Sequence, residues 1–277
     1  ANRAKLIIDT NNWFTPFEAA HHKTIGSYWL IAFSFKIFGI NEFSARLPSY
    51  IFSILSSFVL FKIIKNISGF RIGLISFFTL SSSFLWFSYS KYCSPDTIYI
   101  FFNLLSVFYL LKTNNFLRDH INKKYLFISG LFLSTPFFVR SYLQLLPLIS
   151  LLPFILFKIK KQSFKNTKYF IIGFFVGLIP LIISYYIAYR TYGVDSFIKP
   201  YMLLQGKTLN ENDIFAGFLF YPRNLILLCT PFFIFLINGT RYILKNKSRE
   251  IQILLVFTPL INIVILMFTA SKYSHYG

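Results

Sequence analysis

Four short polar clusters interrupt an otherwise apolar chain and carry the side chains able to do chemistry: His21-His22-Lys23, Ser94-Pro95-Asp96, Arg140, and Ser271 through Tyr276. Lys23 directly precedes an aromatic-rich run, where an ammonium group can meet a lipid phosphate at headgroup depth; from the local sequence alone, an anchoring lysine flanked by interfacial histidines is the stronger reading. Asp96 could orient an acceptor hydroxyl, take its proton or bind a divalent cation. The triplet also has the form of a helix start, with Ser94 as N-cap, Pro95 in the first helical position and Asp96 in the first turn. Arg140 sits between two apolar runs with almost no polar loop around it, and a charge at that depth demands a counter-ion or a phosphate unless it snorkels to the interface. Lys272, His275 and Tyr276 place a cation, an imidazole and a phenol after the last apolar run, where aromatic-belt anchoring is the competing reading.

The elements that must position these groups follow from composition. Apolar residues make up 55% of the 277 residues, aromatics 21% and charged residues 13%, about half the charged share of a soluble domain. The apolar residues fall into eight runs, near 47–64, 72–90, 97–111, 125–139, 143–157, 169–188, 220–237 and 251–269. Each approaches bilayer-spanning length once interfacial Tyr, Trp, Ser and Thr are included. The fold expected is all-α, a polytopic integral membrane protein with about eight spanning helices. A shorter run, Ile25–Ile40, with Trp29 and Lys36, is expected at the interface, preceded by a membrane-surface segment carrying Trp13, Phe14 and Phe17.

An even number of spans assigns every loop to a side. One set of loops holds Lys62, Lys65 and Arg71, then Lys112, Arg118, Lys123 and Lys124, then Lys158, Lys160, Lys161, Lys165 and Lys168, then Arg241, Lys245, Lys247 and Arg249. By the positive-inside rule that side is cytoplasmic. Asp9, Glu18, Glu42, Asp96, Asp195, Glu211 and Asp213 fall on the opposite side, as do His22, Lys23, Arg140, Lys272 and His275. The larger segments, 1–46 and 189–224, are outer loops, and elaborate loops are where function concentrates. These coincidences point to a single outer site.

The net charge of +19 is therefore a topological and lipid-facing signal rather than a nucleic-acid footprint. Cys93 and Cys229 form neither a disulfide framework nor a metal-type spacing. Asn-x-Ser/Thr triplets beginning at Asn66, Asn238 and Asn246 lie in loops assigned to the cytoplasm and read as chance matches. The chain opens on Ala1 and reads as one membrane-embedded domain, 1–277, cut at both ends.

The run His22-Lys23-Thr24 through Tyr28-Trp29-Leu30, then Phe38-Gly39, Asn41-Glu42 and Ala45-Arg46-Leu47-Pro48-Ser49, resembles the dolichyl-phosphate-mannose protein mannosyltransferase superfamily. The resemblance extends to Pro95-Asp96, Arg140 and the Ser-Lys-x-x-His-Tyr ending, and is nearest to the bacterial branch that includes the lipid A aminoarabinose transferase. It implies a GT-C fold with juxtamembrane helices in the first outer loop and an outer site fed by a polyprenyl-phosphate sugar, in a bacterial inner membrane with the site facing the periplasm. The acceptor would be a protein, a lipid or a cell-envelope glycan. The family's acidic catalytic motif would fall upstream of Ala1, leaving Asp96 as the candidate catalytic carboxylate within this chain. Lys23 matches the lysine near the donor phosphate; Arg140, Lys272, His275 and Tyr276 would complete the phosphate-binding set. His22 stands where aminoarabinose transferases carry a metal-associated Glu, yet the histidine those enzymes use in the late outer loop has no counterpart in 189–224, so a divalent metal ion is an open possibility and no firm metal site is expected. Competing readings are a lipid-linked saccharide flippase, against which the near absence of charge within the spans argues, and an inactive scaffold relative.

Overall fold

The computed structural model describes residues 1–17, 24–113, 122–162, 164–198, 222–223, 226–227 and 235–267, with 159–165 described by backbone alone. Every regular element among these residues is helical. The helices are α1 (Asn2–Thr10), α2 (Gly26–Phe38), α3 (Glu42–Ser68), α4 (Phe70–Ser82), α5 (Phe84–Lys91), α6 (Asp96–Lys112), α7 (Lys123–Arg140), α8 (Leu145–Gln162), α9 (Phe164–Tyr192), α10 (Leu236–Asn246) and α11 (Arg249–Met267). A 3-10 turn, Ser141–Gln144, follows α7, and α11 contains a π-helical segment, Ile253–Phe257. The chain divides into two compact units, one of Ala1–Ser82, Trp86–Gln144 and Lys165–Leu204, the other of Ser83–Leu85, Leu145–Phe164 and Gln205–Gly277.

Among the described residues, four helical stretches are long and apolar enough to cross a membrane: Glu42–Ser68, Lys123–Lys158, Asn166–Tyr192 and Arg249–Met267. The pair α4 and α5, bent by 59°, makes a fifth if counted as one span. This is fewer than the eight apolar runs for identifiable reasons. Two runs fall within Lys123–Lys158, which the 3-10 turn interrupts. Another forms α6, whose 17 residues sit at the short edge of spanning length. The run at 220–237 lies mostly outside the described residues. The outward faces are apolar: Ile54, Phe78, Phe175 and Ile182 are all more than half exposed, as lipid-facing side chains require.

In the first unit, Asn41 starts α3. Its side-chain oxygen accepts from the Ser44 N–H at 2.9 Å, while Ser44 Oγ accepts from the Asn41 N–H at 3.2 Å, a capping box that begins the helix before its apolar run. A core cluster of Ala4, Ile7, Ile25, Ile31, Ala32, Phe35 and Ala45 joins α1 and α2 to the start of α3. Trp29 stacks edge-on to Trp13, Phe14 and Phe138 and donates its indole N–H to the Trp13 carbonyl. At 9 and 13 residues, α1 and α2 are too short to span. Between α7 and α9 the backbones touch: a Cβ at Gly130 would meet Phe170, at Gly173 the Phe127 carbonyl, and at Gly177 Ser134 and Leu131. The Gly173-x-x-x-Gly177 spacing is the small-residue pattern that lets helices pack closely in lipid. Helices α6 and α7 are joined by reciprocal bonds, Ser106 Oγ to the Ser129 carbonyl and Ser129 Oγ to the Ser106 carbonyl, both 2.9 Å.

In the second unit, α8 packs against α11. Lys158 Nζ lies 2.5 Å from Glu250 Oε1, with the lysine 2% and the glutamate 15% exposed. The sequence places Lys158 among solvated loop cations; the structure buries it, because α8 continues past its apolar run and carries the ammonium against the only acid at the head of α11. Gln252 donates from Nε2 to the carbonyls of Leu244 and Lys247, each at 2.9 Å, tying the end of α10 to the first turn of α11.

Candidate functional site

The site is built where α6 begins and α7 ends. The segment before α6 is pinned to α3 by Ser49, whose hydroxyl donates to the Ser94 carbonyl at 3.0 Å and accepts from the Ser94 N–H at 3.3 Å. Ser94 does not cap the helix, as its sequence context suggests. The N-cap position is Pro95, which has no side-chain cap, and the Ser94 hydroxyl instead donates to Asp96 Oδ2. The carboxylate is the stronger acceptor, so it takes the hydroxyl and leaves the helix to start one residue later, with Asp96 in its first turn.

Arg140, the last residue of α7, resolves the cost of its depth by pairing with that same carboxylate. Its Nη1 lies 2.8 Å from Asp96 Oδ1, with side-chain exposures of 9% and 16%. Two residues that sequence reading assigns separately thus form one buried ion pair, with Ser94 on the second carboxylate oxygen. Geometry of this kind is needed for a buried pair to repay its desolvation.

Two further polar rungs lie below the pair. The Tyr99 hydroxyl donates to the Leu143 carbonyl at 3.2 Å. Asn103 and Gln144 exchange hydrogen bonds, Asn103 Nδ2 to Gln144 Oε1 at 3.1 Å and Gln144 Nε2 to Asn103 Oδ1 at 2.8 Å, and Gln144 Nε2 also reaches the Leu133 carbonyl at 2.9 Å. Asp96, Tyr99 and Asn103 occupy i, i+3 and i+7, one face of α6, and all address the segment from Arg140 to Gln144. That segment breaks the helix because Ser141 has φ 59° and ψ −142°, a conformation costly for a residue with a Cβ. The break exposes carbonyls that the rungs then satisfy, and the Ser141 hydroxyl meets the Tyr185 phenol at 3.3 Å. Sequence reading does not single out Ser49, Tyr99, Asn103 or Gln144. The signal was present as polar residues recurring at helical spacing inside an apolar run.

A cavity of about 480 Å³ opens beside the segment that leads into α6, lined by Asn2, Arg3, Ser27, Tyr28, Cys93 and Pro95 among others. The volume is in the range of small-molecule sites. Burial pushes the Tyr28 phenol above its ordinary value, partly offset by the nearby Arg3 guanidinium, so the phenol stays a hydrogen-bond donor. Of the residues expected at the site, Asp96 and Arg140 are brought together; His22, Lys23, Lys272, His275 and Tyr276 lie outside the described residues. Among the described residues no three His, Cys, Asp or Glu side chains assemble in a way that could hold a metal ion.

This architecture is shared with a solved protein. ArnT from Cupriavidus metallidurans bound to undecaprenyl phosphate superposes with a TM-score of 0.82 at 12% identity, covering 99% of this chain and 51% of that one. Its apo state gives 0.78 over 99% and 50%. Residues 22–186 match the dolichyl-phosphate-mannose-protein mannosyltransferase family, and the chain belongs to that family. A protein of Aquifex aeolicus that carries no functional name is 25% identical over 280 residues, 95% of this chain and 52% of the relative. The undecaprenyl phosphate-alpha-4-amino-4-deoxy-L-arabinose arabinosyl transferase of Wigglesworthia glossinidia brevipalpis is 26% identical over 271 residues, 92% and 47% respectively. The chain thus spans about half the length of the relatives it matches.

Proposed function

We propose that the protein to which this chain belongs is a membrane glycosyltransferase that moves a sugar from a polyprenyl-phosphate donor to an acceptor at the outer, periplasmic face of a bacterial inner membrane. The observation that carries this reading is the buried Asp96–Arg140 pair, set at the ends of two helices beside a ligand-sized cavity in a chain of this family. The Wigglesworthia relative is named for an undecaprenyl-phosphate sugar, and the ArnT structure holds undecaprenyl phosphate, so a lipid-phosphate donor is the natural substrate class. The acceptor class is a protein, a lipid or a cell-envelope glycan.

The reaction is a displacement at the anomeric carbon. An acceptor oxygen or nitrogen bonds to that carbon, the bond to the phosphate oxygen breaks, and the lipid phosphate departs with the electron pair, inverting the sugar centre. The acceptor's proton passes to a carboxylate, either Asp96 or an acidic residue upstream of Ala1, acting as general base. Arg140 orients Asp96, and with Lys23, Lys272, His275 and Tyr276 provides the surface that steadies the departing phosphate. His22 is the candidate ligand should a divalent ion take part; no step is assigned to one.

The test follows labelled sugar from a polyprenyl-phosphate donor in membranes holding the full-length protein, with Lys23→Ala and Asp96→Ala alongside. Donor-dependent transfer that disappears in both variants while the protein remains inserted supports the reading. Movement of labelled lipid across the bilayer without sugar transfer overturns it in favour of a flippase; neither activity favours a scaffold.

A further inference from the structure

Helix α10 has a strongly two-sided sequence that no described residue of its own unit buries. Over Leu236–Asn246 the apolar residues Leu236, Ile237, Ile243 and Leu244 fall on one stripe at helical spacing, with Arg241 at its edge and Lys245 on the polar face. None of the eleven residues is buried. Leu236 is 46%, Ile237 54% and Leu244 46% exposed. Arg241 and Lys245 are also exposed, and neither forms an ion pair among the described residues.

Position narrows what can lie against the stripe. The helix runs into α11, a membrane-capable stretch that starts at Arg249, and Gln252 ties its last turn to that start. It is therefore held at the mouth of a span, at the depth where headgroups meet acyl chains. A helix with apolar residues on one side and basic residues from its edge across the polar face is the form that lies in that plane.

We infer that α10 is an interfacial helix that binds the anionic phospholipid headgroups of the cytoplasmic leaflet, with Leu236, Ile237, Ile243 and Leu244 set into the acyl boundary and Arg241 and Lys245 on the phosphates. The cytoplasmic assignment comes from the basic loops on this side. The inference is independent of the sugar-transfer reading, because it requires only that the chain is embedded in a bilayer. Its role is to anchor this end of α11 through lipid charge, making the helix responsive to leaflet composition.

The experiment places a spin label at Ile243→Cys or at Asn238→Cys, on opposite sides of α10, in the full-length protein in nanodiscs. The discs contain phosphatidylcholine alone or with phosphatidylglycerol, and accessibility to oxygen and to a water-soluble nickel complex is read. The label at position 243 should be oxygen-accessible and nickel-protected, with the reverse at 238. Anionic lipid retained by the protein should fall about 25-fold in R241Q/K245Q, at about fivefold per cation, and Arg241→Lys should retain it. A label at 243 open to nickel in both lipids overturns the inference. So does one closed to both reagents, which means a protein surface covers the stripe, and so does anionic-lipid retention unchanged in the double variant.

Discussion

Removing one half of the Asp96–Arg140 pair leaves the other half as a charge in surroundings only 9% or 16% exposed. At an N···O distance of 2.8 Å the pair has the contact geometry for which loss of one partner costs about 3–5 kcal/mol, whereas replacing both by uncharged groups of similar volume is near neutral. Asp96→Asn and Arg140→Met should each destabilise by that amount, and D96N/R140M by much less. For a chain of this size about 2–4 °C of melting temperature accompanies each kcal/mol. The single variants should therefore melt roughly 6–20 °C lower. Thermal denaturation of the full-length protein in detergent, followed by fluorescence-detected size exclusion, reads the shifts. The decisive quantity is the coupling in the double-mutant cycle, which should exceed about 2 kcal/mol. Single variants that melt with the parent, or a double variant that falls by the sum of the two, would refute the assignment of a buried, interdependent pair. Both single variants should also lose sugar transfer; the double, though stable, should not regain it.

Gly173→Leu drives a side chain into the Phe127 carbonyl and has to part α9 from α7, so expression of monodisperse protein should fall sharply; Gly239→Ala, where a Cβ meets nothing, should be tolerated by the same assay. Gln144→Leu removes the donor to the Asn103 side-chain oxygen and to the Leu133 carbonyl, while Asn103 Nδ2 keeps its bond to the Tyr99 carbonyl, and should cost about 1–3 kcal/mol, visible as a lower melting temperature. Glu250→Gln strands buried Lys158 and should destabilise by about 3–5 kcal/mol, with K158M/E250L close to the parent; equal melting of all three would show that the pair contributes nothing.

The fold class could be read from the alternation of long apolar runs with basic gaps, since bilayer thickness and leaflet charge act directly on local composition. Asp96 and Arg140 were also visible, because a charge next to an apolar run is conspicuous. Their pairing was not: 44 positions separate them, and only the packing of α6 against α7 brings them together. Ser94 shows the limit of local rules, since a cap motif loses when a carboxylate two residues on offers a better acceptor. The start of α3 was placed late because its capping box precedes the apolar run on which the boundary was drawn. Lys158 could be read as a loop cation because nothing near it in sequence announces Glu250 as its partner.

The glycine contacts give the two members of the central pair unequal footing. At Gly26, a Cβ would strike the Phe138 carbonyl, and Gly130, Gly173 and Gly177 bring α7 and α9 into backbone contact. Helix α7 is therefore gripped by main chain on two sides, with no flexible side chains between to act as a cushion. Asp96 instead reaches its place through hydroxyls and amides, which can exchange partners at low cost. Arg140 is thus the datum and Asp96 the adjustable member.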